Sequence, residues 1–430
     1  MQQNFVKIPK DLSLIKQKFI FGLTKRQAMC FGIGLAMGIP AFFIIKTVTS
    51  NITVAVIALG IFAFPGIACG LFTKNGMYLE EYLKLLISFM RQPRVRTYQS
   101  KSPMAKEEIE SIKARMARLK KENEEDSSST QAILPYKTMF PDGTCHIGGQ
   151  KYSQTVEFYD TNYQLATYEE KDSKFSAWCD ILNYFDETIE FQNTYENQVI
   201  DKESMIQYVQ IDSVDDDFND VRKEYSDIRV NNLLGGKNGR SVKKYLTFTT
   251  EAKNIREARA KLSTVSQEII RLFGDMKVRS KKLNGEQRLE SMYQSLNPFT
   301  TQPFLFDWEL VKKGYNTKDF IAPASVKFTG KNKFEINNAY GCVTSINILA
   351  GELSDGIISD FLDNTEGLAS LNFHIKPFDQ LKALKYIRGK LSDVQKMKID
   401  EQKKAFQSGY DSDILPESIQ IYLEELQGML

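Results

Sequence analysis

Few side chains in this sequence are spaced to do chemistry. The loop Gly235–Ser241 (GGKNGRS) comes nearest to a phosphate cradle. A P-loop has four residues between its glycines and then Gly-Lys-Ser/Thr opening a helix, so that backbone N–H groups wrap the phosphates and the lysine neutralises them. Here Gly235 and Gly239 have three residues between them, Arg240 stands where the lysine belongs, and a strand over Tyr245–Thr249 is expected next. The loop reads as a basic surface turn. Cys145 and His146 are adjacent, but the only other histidine is His374, so a zinc site would have to gather its ligands from far apart. A packed cysteine beside a surface histidine is the simpler reading. The acidic run Asp215–Asp217 lacks the ligand spacing of a calcium loop and reads as solvated. No GxSxG, HExxH or EF-hand pattern occurs. The sequence therefore points to no catalytic residue, no cofactor-binding residue and no metal ligand.

The five cysteines are Cys30, Cys69, Cys145, Cys179 and Cys342. An odd number without CxxC spacing argues against a disulfide framework and for a reducing compartment around the body. Net charge is unevenly spread. Residues 1–121 hold 19 Lys/Arg against 6 Asp/Glu, a net of +13, which leaves −11 for the remainder of a chain whose total is +2. A basic segment around apolar stretches suits an anionic membrane leaflet. The acidic body lacks the basic footprint of direct nucleic-acid contact.

Two stretches dominate the N-terminal part. Ala28–Ile45 carries no charge and is flanked by Lys25, Arg26 and Lys46; Ile52–Phe72 is closed by Lys74. Each is long enough to cross the hydrocarbon core, which takes roughly 20 apolar residues. The short link Lys46–Asn51 permits only a tight antiparallel hairpin. Lys7, Lys10, Lys16, Lys18, Lys25 and Arg26 precede the first stretch, and Lys74, Lys84, Arg91, Arg94 and Arg96 follow the second, with Lys46 alone between them. By the positive-inside rule both ends face the cytoplasm. A cleaved signal peptide fits poorly, because the basic lead is long and a second span follows at once. Gly34 with Gly38, and Gly66 with Gly70, are small residues four apart, which lets helix backbones approach closely in lipid. Packing within the hairpin is favoured over docking onto a partner span.

Three parts follow from the composition: a hairpin with basic flanks over 1–101, a charged helix and linker over 102–131, and a body over 132–430. The first part ends in an amphipathic helix and a basic strap. The middle part opens with Ser102 and Pro103 at a helix start and closes with the acidic, Ser-rich Glu122–Gln131. Such a segment buries too little surface to offset its ordering entropy, so the body is expected to fold independently. In the body, strands at Thr144–Ile147 and Tyr152–Phe158 make a hairpin around Gly148-Gly149. A helix over Asp172–Phe185 buries Phe175, Trp178, Ile181 and Leu182, and a strand follows over Thr188–Tyr195. A similar order returns later: strands at Val326–Phe328, Phe334–Asn337 and Gly341–Ala350, a helix capped by Ser354 and running to about Leu362, and a strand over Ser370–Phe378. The fold class is α+β, with two β-β-α-β units flanking a helical middle that includes a helix over Asn254–Phe273. The last clear helix, Gln380–Gln407, carries Leu381, Leu384, Ile387, Leu391 and Val394 on one face. Its Leu384, Ile387 and Leu391 are a candidate docking face.

Two family resemblances attach to these residues. VKIPKDLSLIKQKFIFGLTKRQ, the hairpin and RQPRVRTYQS resemble the PrgI family, a small two-span inner-membrane subunit of conjugative type IV secretion, over roughly Met1–Ser100. LPYKTMFPDGTCHIGGQKYSQTVEFYDTNYQLA, FSAWCDILNYFD, PFLFDWELVKKGYNTKDFIAPASVKF and DEQKKAFQSGYDSDILP are similar to the N-terminal domain of the TraE/TraC-like conjugation ATPase family, over most of Ile133–Leu430. The two families are usually separate proteins. The ATPase family continues into a RecA-like motor with a P-loop, which is not found before Leu430, and none of its catalytic residues has a counterpart here. The resemblances imply a membrane-anchored structural component of a conjugative DNA-transfer channel, a platform for the transfer ATPase without hydrolysis of its own. The alternative they imply is the N-terminal half of a split or truncated conjugation ATPase. An unrelated two-span protein with a binding domain is the third reading. The implied partners are other type IV secretion inner-membrane subunits, the ATPase motor domain, membrane lipids and further copies of the chain, in a bacterial plasma membrane, with no cofactor.

Overall fold

The computed structural model describes residues 5–7, 18–20, 23–74, 77–99, 128–161, 163, 165–199, 211–234, 240–300, 302–346, 352–354, 356–365, 367–409 and 417–429. The chain divides into two compact units. One comprises Met1–Gln92, Ser345–Asp355 and Asp379–Leu430; the other comprises Pro93–Thr344 and Gly356–Phe378.

The first unit contains helices α1 (Lys25–Thr49), α2 (Ile52–Leu71) and α3 (Leu79–Arg91). Helix α1 opens with a reciprocal cap: the Gln27 amide N–H donates to Thr24 Oγ1 (3.3 Å) and Thr24 N–H donates to Gln27 Oε1 (2.9 Å). Ser50 takes a left-handed conformation (φ 53°) that stops α1, and Asn51 Oδ1 accepts from Thr53 N–H at 2.9 Å to start α2. The reversal thus takes two residues, as the short link requires. Phe5–Lys7 pairs antiparallel with Glu352–Ser354. Ser354 is therefore a strand residue, where a helix cap was expected.

The second unit is α+β. Its larger sheet is antiparallel and seven-stranded: β2 (Thr138–Met139), β3 (Cys145–Gly148), β4 (Lys151–Phe158), β5 (Ile189–Val199), β6 (Arg240–Glu251), β7 (Ser280–Lys282) and β11 (Ser370–Ile375). The order is β11-β5-β6-β4-β3-β2, with β7 on the far half of the β4 edge that β3 occupies. Helices α4 (Tyr168–Tyr184) and α6 (Ile255–Asp275) cover one face, and α5 (Asn219–Leu234) comes between them in sequence. Ala258, Leu262, Val265, Ile269 and Phe273 recur at helical spacing on α6 and are buried against Val156, Leu246, Phe248 and Phe191. On α4, Ile181 is fully buried, but Phe175 is exposed, contrary to expectation.

Strand β4 is buried from Tyr152 to Glu157, both faces included. Its polar residues are satisfied by neighbours that sequence spacing does not reveal. Arg288, on helix α7 (Gly285–Leu296), donates to Gly143 O (2.7 Å), Ser153 O (3.0 Å) and Ser153 Oγ (3.1 Å). Glu157 is clamped by Lys281 of β7 (2.9 Å) and Lys243 of β6 (3.4 Å). Burial alone would raise this carboxyl, but the two ammonium groups outweigh it and hold it below the usual range. A second apolar cluster joins Leu289 of α7 to Leu134, Tyr136, Met139, Cys145 and Ile321.

The smaller sheet is β10-β9-β8-β1, from β1 (Val95–Thr97), β8 (Ser325–Phe328), β9 (Lys333–Ile336) and β10 (Ala339–Cys342). The expected second β-β-α-β unit does not form. Strands β8 to β10 make this separate sheet, while β11, reached through helix α8 (Ile357–Asn364), joins the larger one beside β5. The first set is likewise divided, because β6 lies between β4 and β5.

Helices α9 (Gln380–Gln407) and α10 (Glu417–Gly428) return to the first unit. Val394, Ile387 and Leu391 pack on Ile419, Leu423 and Leu426. The face proposed for docking is thus largely covered by α10, and Leu381 at its start stays exposed.

Candidate membrane-anchoring site

Helices α1 and α2 are about 37 Å and 30 Å long at 1.5 Å per residue, enough to cross a hydrocarbon core. Length and composition alone do not separate such helices from buried core helices. Exposure does: Met29, Ile33, Phe43, Ile44 and Val48 on α1, and Ile57, Ile61, Phe64 and Leu71 on α2, all face outward. Val48 is 78% exposed and Phe64 67%. A two-helix unit with apolar side chains around its outside is unfavourable in water and favourable in lipid.

The inner seam is built from absence of side chains. Gly34 and Gly66 face each other. A Cβ on Gly66 would lie 2.7 Å from both Cys30 O and Gly34 Cα, and one on Gly34 would lie 2.9 Å from Ala63 O. Ala55, Ala58, Ala63, Gly38 and Gly70 complete the buried seam. Both small-residue pairs therefore pack within the hairpin, as favoured from the sequence. Pro40 and Pro65 lie inside the helices.

At the open end of the hairpin, Arg26 gathers three elements. Its Nη2 donates to Glu80 Oε1 (2.5 Å) and to Cys69 O in the last turn of α2 (3.4 Å), and its guanidinium lies 3.3 Å from the centre of the Tyr78 ring. A cation at the C-terminal turn of α2 and an acid in the first turn of α3 each complement the local helix dipole. The Arg26 hydrogen bond also holds the Glu80 carboxyl below its ordinary range. Sequence reading took Arg26 for a flanking charge only; a contact across 54 positions leaves no local signal.

Helix α3 separates its residues cleanly. Leu79, Tyr82, Leu83, Leu86, Met90, Ile87, Leu85 and Phe89 share one broad face, and Glu80, Glu81, Lys84, Ser88 and Arg91 the other. Leu83, Leu85, Ile87, Phe89 and Met90 are exposed. An amphipathic helix that follows a span directly and carries basic residues on its polar face has the form of one that lies in a membrane interface.

The chemical candidates of the body stay apart from one another. Cys145 is buried, and burial raises its thiol. The His146 ring stacks on Tyr152 with a centroid distance of 4.7 Å, and its Nε2 lies 3.1 Å from Gly149 O. His374 sits on β11 opposite Gln192. Asp216 is held by Arg222 at 2.5 Å, which pulls its carboxyl down to about 2, and it also accepts from Phe218 N–H. Residues 235–239 of the basic loop lie outside the described residues, and Arg240 and Ser241 begin β6. Among the described residues no group of three His, Cys, Asp or Glu side chains is placed to hold a metal ion.

The glycine seam makes a sharp prediction. Gly66→Ala should destabilise the hairpin by about 1–3 kcal/mol, the usual cost of overpacking. Gly60→Ala, at a position with nothing within 4 Å, should be neutral or slightly stabilising. Spin labels on Phe31 and Ile67, replaced by cysteine, report the separation. It should widen in the first variant only; equal behaviour of the two variants would remove the seam from the account.

Comparison with curated proteins returns no match to this chain. Comparison with family models gives one result, and it falls on the segment just described. The chain carries a domain matched by the family described as PrgI family protein, at residues 7–98, and its two apolar helices fit a two-span subunit of that type.

Proposed function

We propose that this chain is a membrane-anchored structural component of a conjugative type IV secretion channel, with its body serving as a platform for the transfer ATPase. The observation that carries the reading is the PrgI-matched hairpin, apolar on its outside and continuous in sequence with a large α+β unit. The partners in this reading are other inner-membrane subunits, membrane lipids and further copies of the chain. In this reading the body binds and positions, and hydrolysis of nucleotide belongs to its ATPase partner.

The basic residues outside both helices set the orientation: both ends in the cytoplasm of a bacterial plasma membrane, with Ser50 and Asn51 across it. With Asn51→Cys, an impermeant thiol reagent should label position 51 on intact cells and leave the exposed Cys342 unlabelled until the cells are opened. Labelling of Cys342 on intact cells would reverse the topology.

The functional reading is tested in a donor cell that carries the element encoding this chain. Removing its coding sequence should abolish DNA transfer to recipients, and supplying the intact chain in trans should restore it. Transfer at the undiminished rate would sink the proposal. Nucleotide turnover by the purified chain, above that of a boiled control, would sink the reading of a platform without hydrolysis of its own.

A further inference from the structure

The PrgI-matched segment ends in a strap, RQPRVRTYQ, that the sequence marks only as basic and Pro-containing. Helix α3 stops at Arg91, Pro93 follows, and the chain then runs extended through β1. This strand is no edge. On one side it pairs antiparallel with β8, in the register Val95↔Lys327, Arg96↔Val326 and Thr97↔Ser325. The ladder is extended by Phe328 N–H donating to Arg94 O and Tyr98 N–H donating to Ala324 O, both at 2.8 Å. On the other side Thr97 bridges Ser129 in parallel: Thr97 N–H donates to Ser128 O (3.2 Å) and Thr130 N–H donates to Thr97 O (3.1 Å).

Side chains lock the end of the strap. Gln131 Nε2 donates to Gln99 O (2.8 Å), Gln99 Nε2 donates to Ser128 Oγ (3.1 Å), and Tyr98 Oη donates to Asp319 O (3.2 Å). Arg96, Ser129, Thr130 and Gln131 are all buried. The end of the segment read as a linker is thus a structural wall, and the strap lies between it and β8. A strand with partners on both edges and its central residue buried is an inserted element of the sheet, held by main-chain hydrogen bonds of the strand-addition kind.

We infer that residues 94–99 are a non-covalent clasp by which the second unit grips the end of the membrane segment. The groove between β8 and Ser128–Thr130 is an interaction surface for an extended strand, and its occupant is this strap of the same chain. Attachment of the body to the membrane segment then does not depend on the peptide link through residues 100–127. The inference stands apart from the proposed role in secretion, because it concerns how two parts of one chain are joined.

The test uses the full chain in detergent with a site-specific protease site inserted within Glu122–Asp126. After cleavage the two fragments should elute together in size exclusion. Thr97→Pro and Tyr98→Pro remove the amides that donate to Ser128 O and Ala324 O, and each should release the body fragment after cleavage. Val6→Pro, in the pairing of Phe5–Lys7 with Glu352–Ser354, should leave the fragments together. Separation of the unsubstituted fragments would overturn the inference. So would retention in both proline variants, or release by Val6→Pro alone. If the proline variants fail to fold, hydrogen exchange on the unsubstituted, uncleaved chain decides. Amides of Arg96, Thr97 and Tyr98 protected like those of β4 support the clasp, and fast exchange at all three refutes it.

Discussion

The outward faces of α1 and α2 set the terms for the rest of the structure. Helices with Phe43, Ile44, Val48, Ile61 and Phe64 turned outward are unfavourable in water, and away from their ends and the two prolines their backbone groups are bonded within each helix. In lipid the hydrophobic effect no longer presses one helix against the other. What holds them is close packing of surfaces without side chains, which is why the seam is Gly34, Gly38, Ala55, Ala58, Ala63, Gly66 and Gly70. Arg26 works where the apolar stretch ends, joining α1 to a carbonyl in the last turn of α2, that of Cys69, and to the first acid of α3.

Beyond α2 the architecture changes. Helix α3 still shows an apolar face, but opposite a charged one. Within six residues of its end the chain has become a strand with hydrogen bonds on both sides. The body relies on an apolar layer between α4, α6 and the larger sheet, and on charged groups beside β4 that are each paired. Arg288 feeds two carbonyls and a hydroxyl, and Glu157 sits between two lysines on neighbouring strands. Unpaired, either group would cost the body several kcal/mol, so both fix which elements may cover β4.

Much of this was legible where one period or one local cap decides the outcome. The hairpin, the α6 stripe, the Gly148-Gly149 reversal and the extent of α9 all follow from spacing within a short window. The misreadings share a cause. Phe175 is exposed on α4 while Ile181 further along it is buried, because helical spacing does not say how far along a helix its cover reaches. Ser354 has the chemistry of a cap but is recruited by Phe5–Lys7, some 350 positions away in sequence. The repeat of β-β-α-β order was real as order and carried no information on which sheet each strand would join. Ser129–Gln131 looked like the end of a linker by composition, and the strap beside it is too short to show a period. For the candidate site, glycine spacing was visible in the sequence. Packing within the hairpin was the favoured reading of it, but spacing did not show which glycines meet across the seam, which are Gly34 and Gly66.

The central claim is that α1 and α2 lie in lipid as a hairpin and carry the body with them. Alkaline carbonate extraction of membranes from cells that make the chain tests it most directly, because it strips proteins held by charge and leaves those held by spanning helices. The account predicts that the intact chain stays with the membrane pellet, and that a chain lacking Lys25–Phe72 passes to the supernatant. Release of the intact chain by carbonate would contradict it.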